Sequence, residues 1–335
     1  MAKKSAIYGV ARVRVLETKL LTANKIDRML DAATPQDVLK VLAESEYGVF
    51  LADIKNTNDY EIALSKELAR IYELVLSLAP EPEVFASFRL KYDVHNMKVL
   101  LKERYFQVKS ANILSSMGNI SMEKIQEIFK SEDLLAAIPE SYRPYFLRIE
   151  QAMANKLDPQ IIDIQMDTMY YELALATAKK HKVKIVEEYF VRLIDITNIK
   201  TLLRVTKLQE SVYFMKSMLL PGGEIPMNFF LQAIAEPLEK WVELLGLASS
   251  YRDILEMAIQ EFIATKQLTS FEAKADNQLL ANVRAQKYNP FGIESILGYL
   301  LAKETEVKLI RIIMVGKTNQ IDAAKIRERM REVYV

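Results

Sequence analysis

The chain contains no cysteine. That absence excludes a disulfide framework, a thiolate nucleophile and a thiolate metal site, and it points to the reducing cytoplasm. Glycine and proline are scarce, at 9 and 10 in 335 residues. Strand-rich folds need frequent turn signals, so the scarcity argues against them. Only two histidines occur, His95 and His181, and neither has the sequence partners of a triad or a zinc site. No eighteen apolar residues run together; ILGYLLA and IIMVG are short and flanked by charge, so no membrane-spanning helix is expected. The opening MAKKSAIYGVARVRVLETK has no apolar run before Arg12 and is not read as a signal peptide. An excess of one charge is missing too. With 45 basic and 44 acidic side chains, the surface is not one made mainly to coat nucleic acid.

What is abundant is Leu, Ala, Glu, Lys, Met and Ile, all compatible with helix. The expected fold class is all-α, with more than about 60% helix against a base rate near one-third. Leu64, Leu68, Ile71, Val75 and Leu78 form a helical stripe, which Pro80 and Pro82 close. Asn58 with Glu61 three residues on has the pattern of a capping box. A second stripe, Ile162, Met166, Met169, Leu173 and Ala176, follows Asp158–Pro159, an N-cap and a first-turn proline. A third and fainter pass places Leu255, Ile259 and Phe262 on one face.

These passes belong to a repeat. DVHNMKVLLK, Asp93 to Lys102, returns 102 residues later as DITNIKTLLR, Asp195 to Arg204, with five of ten positions identical. Each copy leads into a glycine-bearing turn, MGNIS or LPGGEIP. In ETEVKLIRII, Val307 and Lys308 stand where Ile199 and Lys200 do, at an offset of 108. One helical unit of roughly 105 residues, written three times, accounts for this spacing. The boundaries read as 1–120, 121–224 and 225–335. Such a unit exceeds the 20–50 residues of solenoid repeats and can hold its own core.

Ile199, Leu202 and Leu203 share a face of the repeated helix, as do Met97, Leu100 and Leu101. Asp195 is read as a cap or first-turn acid. One cation recurs per copy: Lys98, Lys200 and Lys308. With Arg311, which stands where Leu101 and Leu203 do, they are the candidate partner-binding residues. A charge at a core position is costly unless it is paired or exposed to a partner. The basic run KKHKVK, Lys179 to Lys184, reads first as a solvated helix end. Asp163 and Asp167 lie one turn apart with no further acid to complete a metal site. No catalytic residue, cofactor site or metal site is assigned.

VGKT, Val315 to Thr318, looks like the end of a phosphate-binding loop. That loop needs a glycine five residues before Gly316, where Arg311 stands. Gly316 is read instead as the residue closing a helix, with Lys317 a cation at its end.

YGVARVRVLETKLL, AESEYG (Ala43 to Gly48), NIKTLLR, LLPGGEIP and the tail GYLLAKETEVKLIRIIMVGKTNQI…IRERMREVYV resemble the C-subunit family of the V/A-type rotary ATPases, whose eukaryotic counterpart is the d subunit. The resemblance runs from end to end. It implies a funnel of three similar all-helical domains with pseudo-threefold symmetry. It also implies a non-catalytic rotor piece that accepts the central axle and rests on the membrane proteolipid ring, peripheral to the membrane on its cytoplasmic side. No family catalytic residue exists to carry over. The alternative from another class is a free-standing helical scaffold or adaptor, with KKHKVK as a route to nucleic acid.

Because Arg311 replaces the required glycine, the purified chain is expected to bind no ATP in calorimetry. Micromolar binding that Lys317→Ala abolishes would overturn that reading.

Overall fold

The computed structural model describes residues 6–108, 113–245, 250–286, 288–289 and 292–334. Among them there are eighteen α-helices and no strand. In chain order the helices begin α1 (Ala6–Glu17), α2 (Ala23–Asp31), α3 (Pro35–Ala43), α4 (Gly48–Leu51), α5 (Tyr60–Leu78) and α6 (Pro82–Phe106). They continue α7 (Met122–Lys130), α8 (Leu134–Ala137), α9 (Arg143–Asn155), α10 (Pro159–His181), α11 (Lys184–Leu208), α12 (Val212–Met218) and α13 (Met227–Ala233). The last are α14 (Trp241–Leu245), α15 (Arg252–Thr265), α16 (Thr269–Ala285), α17 (Glu294–Thr318) and α18 (Ala323–Arg327). They cover about two-thirds of the chain, as the composition predicts.

By packing, the helices sort into two compact units: Met1–Phe85 with Leu245–Val335, and Ala86–Leu244. The first is discontinuous in sequence. Its core is organised on α17, which packs against α1, α5 and α16 and buries Ile296, Leu300, Val307, Ile310 and Ile313. The α5 stripe from Leu64 to Leu78 faces this core and is buried throughout. The second unit is built on α10 and α11, with Phe88 of α6 stacked 5.0 Å from Phe190 of α11. In α10 the buried face runs Ile162, Met166, Met169, Tyr170, Ala174, Ala178. Ala176 is exposed and Leu173 only half-buried, so the face drifts off the expected stripe in the last turns, as a 3.6-residue period requires.

With glycine rare, helices end on other residues. Gln107, Lys182, Gln209, Lys266 and Gln320 all adopt left-handed backbone, with φ between 53° and 57°. Such a conformation costs an L-residue about 1 kcal/mol. The cost is offset by hydrogen bonds that satisfy the last carbonyls, as in Glu210 N–H to Val205 O at 3.2 Å and Gln209 N–H to Thr206 O at 3.1 Å. The end of α17 is of this kind. Gln320, not Gly316, is the left-handed residue, and Ile321 N–H reaches Gly316 O at 2.8 Å. Gly316 lies inside the helix for a different reason: a Cβ there would sit 2.4 Å from Ile326 Cδ1 of α18. The VGKT stretch is therefore continuous helix.

Two N-terminal expectations are also revised. Asn58 lies in a short 3₁₀ turn, where its N–H donates to the Asn56 side chain at 3.1 Å. Glu61 does not close a capping box, because its carboxylate is held by Arg311. Asp158, by contrast, caps α10 as read, accepting from Gln160 N–H at 3.0 Å.

The largest revision concerns Asp195. It is neither a cap nor a first-turn acid but lies mid-helix in α11, fully buried. Its carboxylate accepts from the backbone N–H groups of Glu224 and Ile225 at 2.8 and 3.1 Å. One turn on, Asn198 both donates to and accepts from the backbone of Leu220, each at 2.9 Å. Asp93 and Asn96 of α6, at the matching places of the earlier phrase, make bonds of the same kind. Asp93 accepts from Asn119 and Ile120 N–H at 2.9 and 3.0 Å, and Asn96 pairs both ways with Ser115 at 2.7 Å. The glycines of the two turns sit where a Cβ would lie 2.1 Å from the carboxylate oxygen, Gly118 against Asp93 and Gly223 against Asp195. Burial pushes the Asp93 carboxyl pKa up, and the donated N–H bonds oppose that rise.

In α17, at the 108-residue offset, Lys303 and Glu306 occupy the places of Asp195 and Asn198. Both are buried. The Lys303 ammonium pairs with Glu306 at 3.0 Å and Glu67 at 3.3 Å, and lies 4.9 Å from the centre of the Tyr47 ring. Glu306 accepts from the Leu21 backbone N–H, and from the Tyr47 hydroxyl at 3.1 Å. Burial raises its pKa while Lys303 opposes the shift. Breaking a buried pair of this kind costs about 3–5 kcal/mol.

Asp195→Ala should lower the unfolding free energy by about 2–4 kcal/mol, because it orphans two loop amides at once. Asp195→Asn, which keeps one acceptor, should lose less. Urea unfolding of both variants measures this. Equal stability of the alanine variant and the parent would remove the loop clamp from the account.

Candidate partner-binding site

Lys308 and Arg311 are three residues apart on α17 and share one face of it. That face is the polar margin of a helix otherwise sunk in the core of its unit, which is why a charge fits where Leu101 and Leu203 are buried in α6 and α11. Arg311 is bidentate on Glu61 of α5, with Nε 2.8 Å from Oε1 and Nη2 2.9 Å from Oε2. The two side chains remain 42% and 43% exposed, so the pair is edge-on to solvent. Lys308 hydrogen-bonds Asp276 of α16. The same carboxylate takes Arg331 Nε at 2.9 Å, which ties the C-terminal segment to α16.

The other two candidates belong to the second unit. Lys98 of α6 pairs with Asp167 of α10 at 2.7 Å, and its neighbour Lys102 pairs with Asp163 at 2.8 Å. The two aspartates noticed one turn apart are thus counter-ions rather than ligands. Burial pushes the Asp167 carboxyl pKa up and Lys98 opposes the shift. Lys200 is half-buried on α11. Lys98, Lys308 and Arg311 each pair within their own unit.

The end of α17, the turn after it and α18 together line a cavity of about 710 Å³. Arg311 is one of its lining residues, and Ile312, Val315, Ile321 and Ile326 supply an apolar lining.

Among the described residues no group of three or more His, Cys, Asp or Glu is placed to hold a metal ion. His95 is exposed and donates through Nε2 to the Ile113 carbonyl at 2.7 Å. His181 closes the last turn of α10, within the KKHKVK run, whose lysines are exposed. Among the described residues no helix is long and apolar enough to cross a membrane. The loop clamps and the Lys303 cluster escaped sequence reasoning, although a signal existed: the repeated phrase keeps Asp and Asn at fixed places.

Residues 9–329 match the family model for the ATP synthase (C/AC39) subunit. The C subunit of the V-type sodium ATPase of Enterococcus hirae is 24% identical, over 96% of this chain and 97% of that protein. The C subunit of the A-type ATP synthase of Methanocaldococcus jannaschii is 23% identical, over 96% and 84%. That of Desulfurococcus sp. is 26% identical, over 97% and 90%. The chain belongs to this family, the non-catalytic C subunits of the V/A-type ATPases.

Arg311→Glu is expected to set two carboxylates face to face and to lower stability by about 1 kcal/mol, the upper range for a half-exposed pair. Adding Glu61→Arg should recover most of that loss. A double-mutant cycle by thermal unfolding measures the coupling, and a recovery of zero would mean the pair contributes nothing.

Proposed function

We propose that this chain is the rotor spacer of a V/A-type ATPase. It seats the tip of the central axle and rests on the membrane proteolipid ring, so that torque passes between ATP chemistry and ion transport in either direction. The observation that carries the reading is family membership over nearly the whole chain. In this reading the three sequence units, 1–120, 121–224 and 225–335, form similar helical domains around a central socket, as a funnel with pseudo-threefold symmetry. The matched clamps at Asp93–Asn96 and Asp195–Asn198 support kinship of the first two units. Lys98, Lys200, Lys308 and Arg311 are the proposed contacts with axle or ring; Lys308 and Arg311 keep 47% and 42% of their side chains exposed. The protein would sit peripherally on the cytoplasmic side, held through the ring.

The mechanical demand on such a piece is stiffness. A coupling element must transmit torque without winding up. Long helices whose buried side chains bond the backbone of distant loops resist local opening, since each opening orphans polar groups in the core.

Affinity purification of the tagged chain from detergent-solubilised membranes tests the reading. Co-purification with axle and ring proteins is expected. Recovery of the chain alone, or with soluble partners or nucleic acid, would favour a free-standing scaffold instead.

A further inference from the structure

We propose that the cavity at the C-terminal end of α17 is a docking groove for a short, acidic, amphipathic helix of a neighbouring protein in the assembly. The proposal rests on the rotor reading for the identity of the assembly. It rests on the groove itself for the chemistry of the occupant.

The groove is built in. Ile326 of α18 is 2% exposed and seats against Gly316, where even a methyl group would collide with it. That contact holds α18 against α17 and sets the depth of the floor. From the other side, Arg327 of α18 pairs with Asp27 of α2 at 2.7 Å, so the short helix is fastened at two points. The apolar lining is not shielded: Val315 is 50% exposed, and Ile312 and Ile321 are only partly covered. Some 710 Å³ is left open above them, room for several side chains from one face of a helix. Helices that dock in grooves present apolar anchors at spacings of three and four residues.

The sign of the charged lining residues selects the partner. Lys325 and Arg329 line the groove, are exposed, and enter no ion pair among the described residues. Arg311 also lines it, with its guanidinium shared with Glu61. The one acid among the lining residues, Asp322, is engaged in capping α18, where it accepts from Ala324 N–H at 2.8 Å. The cavity lining therefore combines apolar side chains with three cations. Its complement is a helix with an apolar stripe flanked by Asp or Glu, since opposite potentials across an interface set register and exclude wrong partners. A nucleotide or free phosphate fits the site less well. The cations are on separate turns, and no glycine-rich loop offers backbone N–H groups to a phosphate.

The test uses the assembled complex purified from membranes. Carbodiimide forms an amide directly between a lysine amine and a touching carboxylate. Mass spectrometry of the treated complex should find Lys325 joined to an Asp or Glu in a helical stretch of a different protein. In parallel, the chain with Lys325→Glu and Arg329→Glu should unfold at the parental temperature yet recover at least tenfold less of the complex. Val315→Glu should act in the same direction. Several results would overturn the proposal: Lys325 joined only to carboxylates of this chain or of a second copy, no joined peptide at all, or undiminished assembly of the charge-reversed chain. Protection of Lys325 by inorganic phosphate or by anionic-lipid vesicles, without a joined protein, would likewise replace the helix by an anion. If the parental chain itself fails to purify with the complex, the rotor reading fails. If parent and variant both assemble, only the groove does.

Discussion

The structure depends on polar side chains buried in the middle of long helices that bond the backbone of loops remote in sequence. A carboxylate placed mid-helix has no helical amide to accept from, since those are committed to the ladder. Buried alone, it would be expelled or protonated. Asp195 stays because Glu224 and Ile225 turn their N–H groups onto it, and they can turn because Gly223 leaves room beside the carboxylate. Helix, turn and glycine therefore stand or fall together. The same set recurs at Asp93, Asn119, Ile120 and Gly118.

A variant of this device joins the chain's two ends. Lys303 and Glu306 bring charge into the core of the discontinuous unit, where Glu67, Tyr47 and the Leu21 amide meet them. Replacing such a cluster by hydrocarbon is often neutral for stability, whereas removing one member is not. The cluster ties α17 to α5, to Tyr47 and to the Leu21 amide. Stretches quoted for their family resemblance converge here: LETKLL supplies Leu21, AESEYG supplies Tyr47, and AKETEVK supplies Lys303 and Glu306. NIKTLLR and LLPGGEIP meet likewise through Asn198 and Leu220. The resemblance lies in the stretches that hold helices to loops, as a protein without chemistry of its own would require.

The cations singled out for a partner have two aspects. Lys98, Lys308 and Arg311 pair with acids of their own unit, which answers how charge is tolerated beside a core. Lys308 and Arg311 also keep nearly half their surface. An ion pair at such a margin holds its guanidinium or ammonium in place at little cost in solvation.

Local physics made much of this legible in the sequence. Helix content follows from composition. The ends of α5 and α10 follow from Pro80, Pro82 and the Asp158–Pro159 pair, and the buried face of α5 follows from spacing. The doubled phrase keeps Asp and Asn at fixed places without showing what they bond, and the missing glycine at position 311 argued against a phosphate loop at VGKT, which is continuous helix. What the sequence left open is where long-range partners decide. Asp195 looked like a cap because the amides that donate to it lie 29 and 30 residues away. Glu61 looked like a capping-box acid until Arg311, 250 residues on, claimed it. Gly316 looked like a helix end until α18 was packed against it. In each case a short motif offered a local hydrogen bond or turn. The tertiary structure supplied a burial or a charge partner in its place, and a one-dimensional pattern contains no information about which distant residue will arrive.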